Sequence, residues 1–302
     1  MTSPRFPTAV AAVLMAAALS AQVFRGNADV VVLNVTVVDA ENHFITGLDR
    51  ADFQIFEDGV LQDITTFARE QQPIALSILI DTSTSMDKKL PIAQEAAIGF
   101  AKRIGPKDVA QIISFNTRPD VVQDFTSDRA ALENAIRRTL TGGSTALYNA
   151  LYVAFSALKQ VRAENAEQLR RQAIVVLSDG DDTSSVIDYD QVLEAAKRSE
   201  VSVYSIALRS KQDTPPHGFN EADFVFRTLS METGGRVYHV EEMAQLQGIY
   251  QQIADELASQ YYIGYTSKNP KFDGAWRKVM VRLTRPNVIA RTKTGYFASK
   301  PR

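Results

Sequence analysis

The chain has no cysteine, one tryptophan and three histidines in 302 residues. Without cysteine there are no disulfides, and zinc or iron–sulfur sites built on thiolates are excluded. His43, His217 and His239 are far apart, with no His-x-x-x-His spacing. A metal here would have to be held by oxygen. An excess of charge is missing too, since 33 Lys and Arg against 35 Asp and Glu leave a net charge of −2. That balance lacks the basic surplus that marks a nucleic-acid partner. Beyond residue 21, no apolar run approaches the roughly 20 residues that a bilayer crossing needs.

What is present suffices for a buried core, with 45% hydrophobic and 23% charged residues. Arg5 is followed by an uncharged stretch over residues 8–21, mostly Ala, Val, Leu and Met, that ends at Leu19-Ser20-Ala21-Gln22. A basic start, a short apolar segment and small residues near Ala21 describe a signal peptide over residues 1–21. The alternative, an uncleaved anchor, would need a longer run. The expected protein is therefore exported, whether periplasmic, cell-surface or extracellular, with no membrane span after cleavage.

Residues 30–38, 53–57 and 64–67 read as short strands separated by turn formers such as Glu41-Asn42 and Asp58-Gly59, so residues 22–72 form a β segment. From residue 73 the rhythm changes. Strands are expected at 74–80, 108–115, 120–125, 173–177, 201–208 and 236–240. Helices are expected at 88–104, 129–140, 146–158, 189–199, 224–232 and 243–259. Ile92, Ala96, Phe100 and Ile104 mark the expected inner face of the first helix. This alternation predicts an α/β fold over residues 73–259, a doubly wound, mostly parallel sheet with helices on both faces. Residues 210–223, with Pro215-Pro216, are expected to be an exposed loop. Strand patterns return at 261–265, 278–284, 288–291 and 296–297, so residues 260–302 form a second β segment. Because chain ends often lie close together, the two flanks are candidates for one β module around the α/β domain.

Three loops carry the chemistry. The apolar strand 74–80 runs into Asp81-Thr82-Ser83-Thr84-Ser85, Thr141-Gly142-Gly143-Ser144-Thr145 precedes the helix at 146, and strand 173–177 ends in Ser178-Asp179-Gly180. Ligands of doubly wound sheets bind beyond the carboxyl ends of the strands. Asp81, Ser83, Ser85, Thr145 and Asp179 could then face one point with hard oxygen donors, suited to a divalent cation. Taken alone, Asp81 to Ser85 is equally a strand-to-helix connection with an N-cap, since caps use the same residue types.

Asp-x-Ser-x-Ser, a later Thr after a Gly-rich turn and an Asp closing an apolar strand resemble the metal-ion-dependent adhesion site of von Willebrand factor A domains. The resemblance covers roughly residues 73–259. It implies Mg²⁺, with Mn²⁺ or Ca²⁺ as alternatives, bound by Ser83, Ser85 and Thr145 directly or through water, while Asp81 and Asp179 mostly hold waters. It also implies a protein partner whose Asp or Glu completes the shell, in a binding or adhesion module without catalysis. Some integrin members of the family carry acidic residues for an adjacent regulatory ion where this chain has Lys88-Lys89, so no second ion is expected. The flanks, with Asp52-Phe53-Gln54-Ile55-Phe56-Glu57-Asp58-Gly59 and Gln260-Tyr261-Tyr262-Ile263-Gly264-Tyr265, resemble those of exported bacterial proteins related to von Willebrand A domains.

Two rival functions stand beside this one. A strand ending in Asp, with a later Asp-Gly-Asp-Asp, resembles haloacid-dehalogenase-type phosphatases, in which Asp81 would be the nucleophile. The acid–base Asp of that pattern is here Ser83. In the other, a scaffold, the metal only stiffens the loops. Asp179-Gly180-Asp181-Asp182 departs from a calcium-loop pattern at Ser184 and Asp190, so Asp181 and Asp182 are expected to be solvated turn residues. Gly142-Gly143 lacks the lysine of a phosphate loop, and its glycines are expected to allow close placement of Thr145.

Overall fold

Short β-branched runs at either end of the chain and longer apolar runs in its middle sort into three sheets. The computed structural model describes residues 30–69, 72–161, 170–208 and 221–300. The signal-peptide expectation and most of the 210–223 loop lie outside them.

Before the α/β region come β1 (Val30–Asp39), β2 (Phe53–Glu57), β3 (Val60–Gln62) and β4 (Ile64–Ala68). The α/β region holds β5 (Ile74–Asp81), β6 (Val109–Phe115), β7 (Pro119–Thr126), β8 (Arg171–Ser178), β9 (Val201–Ala207) and β10 (Arg236–His239). Its helices are α1 (Leu90–Ala101), α2 (Arg129–Arg137), α3 (Leu147–Gln160), α4 (Tyr189–Arg198), α5 (Glu221–Thr233) and α6 (Leu246–Ser259). After it come β11 (Tyr261–Thr266), β12 (Trp276–Leu283), β13 (Val288–Arg291) and β14 (Gly295–Phe297).

The central sheet has the order β10-β9-β8-β5-β6-β7, parallel throughout except for β7, which runs antiparallel to β6. A strand buried on both faces needs apolar residues at every position, and β5 supplies them. Leu76, Ile78 and Ile80 face α1, α2 and α6 in one core, while Ala75 and Leu79 face α3, α4 and α5 in the other. Ser77, the polar exception before the terminal Asp81, accepts a hydrogen bond from Gln111 Nε2 at 2.6 Å and is thereby satisfied.

The first helix differs from its expected face. Leu90, Ala93, Ala97 and Ala101, with Ala96 and Phe100, point inward, whereas Ile92 is 45% exposed. Two helical positions turn a side chain by about 200°, so Ile92 lies opposite Leu90 and cannot share its stripe. The sequence reading also missed β3. Asp58 and Gly59 both have positive φ, 47° and 83°, and form the two-residue turn that pairs Glu57 with Val60.

The flanking strands interleave in two antiparallel sheets, β13-β1-β11-β4 and β14-β12-β2-β3. Leu33, Val35, Ile55, Ile263, Tyr265 and Val279 belong to the one core between them. Strands from before and after the α/β region alternate in the first sheet and meet at the β12–β2 pair in the second, and Ala68 of β4 pairs directly with Tyr262 of β11.

The sandwich meets the α/β region at the amino ends of its strands and the carboxyl ends of its helices. Glu256 of α6 is fully buried there. It accepts hydrogen bonds from Tyr204 Oη at 2.8 Å and Thr36 Oγ1 at 3.2 Å, and forms an ion pair with Arg291 of β13. Nearby, Lys197 stacks on Trp276 and Arg198 on Phe297.

Candidate metal centre

Asp81, Ser83 and Ser85 stand at the opposite edge, where β5 ends. Between β5 and β8 the strand order reverses, since the chain continues to β6 on one side and returns to β8 on the other. Such a switch point opens a crevice because the connections leave in opposite directions. Asp179 follows the last residue of β8 directly. The crevice is thus bordered by the two aspartates.

Asp81 is fully buried. Its Oδ1 accepts from the Ser83 backbone N–H at 2.8 Å, and its Oδ2 from Ser178 Oγ at 2.5 Å. Burial pushes its carboxyl above the usual range, while the bonds from Ser178 and Ser83 pull the other way. The Ser83 and Ser85 hydroxyls are hydrogen-bonded at 3.0 Å, and Ser85 Oγ donates to Asp179 Oδ1 at 2.7 Å. Lys89 Nζ donates to Asp179 Oδ2 at 2.5 Å. Asp81, Ser83, Ser85 and Asp179 are thus joined in one hydrogen-bonded run, through the Ser83 backbone N–H at its first step and side-chain oxygens after it, ended by an ammonium.

Thr145 arrives differently. Thr183 and Ser184 donate their backbone N–H groups to its carbonyl at 2.8 and 3.1 Å, and its own N–H donates to Thr183 Oγ1 at 3.0 Å. These bonds run through its main chain, so its hydroxyl takes no part in holding the loop. That hydroxyl lies 3.6 Å from where a Cβ on Gly180 would stand, beside Asp179.

The Gly-rich loop serves the first loop more than it serves Thr145. The Gly143 carbonyl accepts from the Thr84 N–H at 3.1 Å and from Thr84 Oγ1 at 2.9 Å, and the Gly142 N–H donates to the Thr82 carbonyl at 2.8 Å. Gly143 has φ of 76°, and a Cβ there would stand 2.4 Å from Thr117 Oγ1. Only glycine fits this stitch between the two loops.

Asp181 and Asp182 are not simply solvated. Ala146, at the N-cap position of α3, has no side-chain acceptor to offer. Asp182 Oδ2 instead accepts from the Tyr148 N–H at 2.8 Å, and Ser185 Oγ accepts from the Asn149 N–H at 3.0 Å. Asp181 Oδ1 accepts from the Ala222 N–H at the start of α5. These carboxylates are committed to helix ends. The alanine at the start of α3 was the available sequence signal that a cap must come from elsewhere. Ser178 and Lys89 were not singled out as members of the site, because their partners are distant in sequence.

The donor set fits a hard divalent cation. It offers hydroxyl and carboxylate oxygens only, and an ammonium already stands on one of its carboxylates. Among the described residues, Asp39, Glu41 and His43 also cluster, but Asp39 Oδ1 accepts from the Glu41 and His43 N–H groups and so closes a turn at the surface. A phosphatase nucleophile must meet its substrate, whereas Asp81 is buried with both oxygens engaged.

Residues 76–181 match the family model of the von Willebrand factor type A domain, a span that takes in all five candidate residues. A human protein, inter-alpha-trypsin inhibitor heavy chain H1, is 29% identical over 193 residues, covering 59% of this chain and 20% of that protein. The chain thus spans about a fifth of the length of that curated relative. Among solved structures, a von Willebrand factor type A protein from Catenulispora acidiphila superposes with a TM-score of 0.54 at 13% identity, covering 91% of this chain and 76% of the other. Proximal thread matrix protein 1 from the mussel byssus, described with a zinc-occupied adhesion motif, gives 0.51 at 16% identity, covering 68% and 50%. At such identities the structural likeness concerns the fold.

Proposed function

We propose, from the match of residues 76–181 to the family model of the von Willebrand factor type A domain, that the chain binds a protein partner through a divalent cation held by Asp81, Ser83, Ser85, Thr145 and Asp179. The observation that carries this reading is the single hydrogen-bonded chain of Asp81, Ser83, Ser85 and Asp179 at the switch point of the sheet. Mg²⁺ is the proposed ion, with Mn²⁺ or Ca²⁺ as alternatives. When bound, it supplies an electrophilic centre at which a partner's Asp or Glu can replace a water.

The chain's own residues prepare that exchange. Three of the five donors are neutral hydroxyls, so the set leaves more positive charge on a cation than a carboxylate cage would. Ser178 and the Ser83 N–H hold Asp81 in one orientation, and Ser85 and Lys89 hold Asp179. Preorganised donors lose little freedom when a ligand arrives. The signal-peptide reading of residues 1–21 adds that the partner is met outside the cytoplasm.

The test is a pull-down from envelope and culture fractions, in Mg²⁺ and in chelator, with wild type and Asp179→Ala. Recovery of a partner only by wild type in Mg²⁺ is expected. Equal recovery in all four conditions would sink the proposal, and phosphoester hydrolysis lost in Asp81→Asn would favour an enzyme instead.

A further inference from the structure

Both oxygens of Asp179 are committed. Oδ1 receives the Ser85 hydroxyl at 2.7 Å and Oδ2 the Lys89 ammonium at 2.5 Å, and the aspartate side chain is only 2% exposed against 32% for the lysine. Lys89 is not a stray surface residue. Its N–H donates to the Met86 carbonyl at 2.8 Å, which fixes its backbone in the turn between the Asp-x-Ser-x-Ser loop and α1. The site therefore holds two carboxylates, Asp81 and Asp179, and one ammonium. Its formal charge is −1 with both carboxylates ionised, and a divalent ion would make it +1.

We propose that Lys89 is a built-in counter-cation that weakens the hold on the divalent ion and leaves the loaded site net positive, so that the ion is held firmly only together with an anionic ligand. This rests on the metal-site reading above and adds its regulation. The lysine takes up one of the two negative charges that would attract an ion, and it repels a second cation across a single carboxylate. Even if it is screened as strongly as in bulk water, a unit charge a few ångströms away lowers affinity for a divalent ion about tenfold or more. A carboxylate from a partner restores the missing negative charge, and by linkage the ion and the carboxylate strengthen each other's binding by the same factor.

The test measures Mn²⁺ affinity by isothermal titration calorimetry on the full chain as wild type, Lys89→Met and Lys89→Arg, with far-UV circular dichroism and Tm in chelator as checks of folding. Lys89→Met, which keeps the length and removes the charge, is expected to bind Mn²⁺ about tenfold tighter or more. Lys89→Arg should stay within about threefold of wild type, because it keeps the charge. A lysine that merely bolts α1 to β8 predicts a lower Tm for Lys89→Met with unchanged or weaker Mn²⁺ binding, and that result overturns the proposal. Should Lys89→Met fail to fold, Lys89→Gln is read by the same criterion. Absence of Mn²⁺ binding in all variants overturns the metal site itself, whereas binding by wild type with no gain on removing the charge overturns only the role of Lys89.

Discussion

Removing Glu256 is the sharpest way to test the seam between the sandwich and the α/β region. Its carboxylate is fully buried, bonded by Tyr204 and Thr36 and paired with Arg291, which is itself only 26% exposed. At an effective dielectric near 20, two unit charges about 4 Å apart attract by about 4 kcal/mol. Desolvating each ion costs several kcal/mol, so the pair as a whole contributes little net stability. Deleting one partner is a different matter, because the other is left charged and uncompensated. Glu256→Ala and Arg291→Ala are each expected to cost about 3–5 kcal/mol. The double variant should cost clearly less than the sum, with a coupling of about 2–3 kcal/mol. Equilibrium urea unfolding of the four proteins, with matched m-values, gives these numbers. Single effects below about 1 kcal/mol, or additivity within about 0.5 kcal/mol, would refute the reasoning.

Two further perturbations follow from other residues. Burial raises the hydroxyls of Tyr204, Tyr250 and Tyr265 well above the ordinary tyrosine range and pushes Tyr238 up to about 12. A group whose folded pKa is raised keeps its stabilising contribution below the unfolded value, near 10, and loses it as pH climbs toward the folded one. Each fully buried tyrosine should then cost about 1.4 kcal/mol by about pH 11. Urea unfolding near pH 9 and pH 11, read beside tyrosinate absorbance, checks this, and equal stability at the two values would contradict it. Asp182→Ala removes the acceptor for the Tyr148 N–H and should destabilise by about 1–2 kcal/mol. That appears as a fall of several degrees in Tm, and an unchanged Tm would show that water caps α3 equally well.

The central sheet was legible because β5 and β8 are continuous apolar runs too short for helices, each ending in an oxygen-bearing residue. Ser83, Ser85 and the two aspartates follow those runs directly, so their meeting depended only on strand order. Ile92 misled because it keeps the i, i+4 spacing with Ala96 and Phe100 but falls outside the buried stripe that they share with Leu90, Ala93 and Ala97. The parts that stayed hidden join distant residues. Lys89 reaches Asp179, Asp182 reaches Tyr148, and Glu256 reaches Thr36 and Arg291. Nothing in local composition marks such pairs, since each member is by itself an ordinary surface residue type.

The pairing of Ala68 with Tyr262 bears on the order in which the molecule assembles. These partners are neighbours in the sandwich, yet the whole α/β region lies between them in the chain. Joining them across a flexible segment of that length would cost about 4–5 kcal/mol of closure entropy before any contact formed in return. Once β5 and α6 are packed in place, their outer ends lie next to each other and that cost has already been met. The route of lowest entropic cost therefore folds the middle of the chain first, and the flanking strands on either side of it zip together on the base it provides.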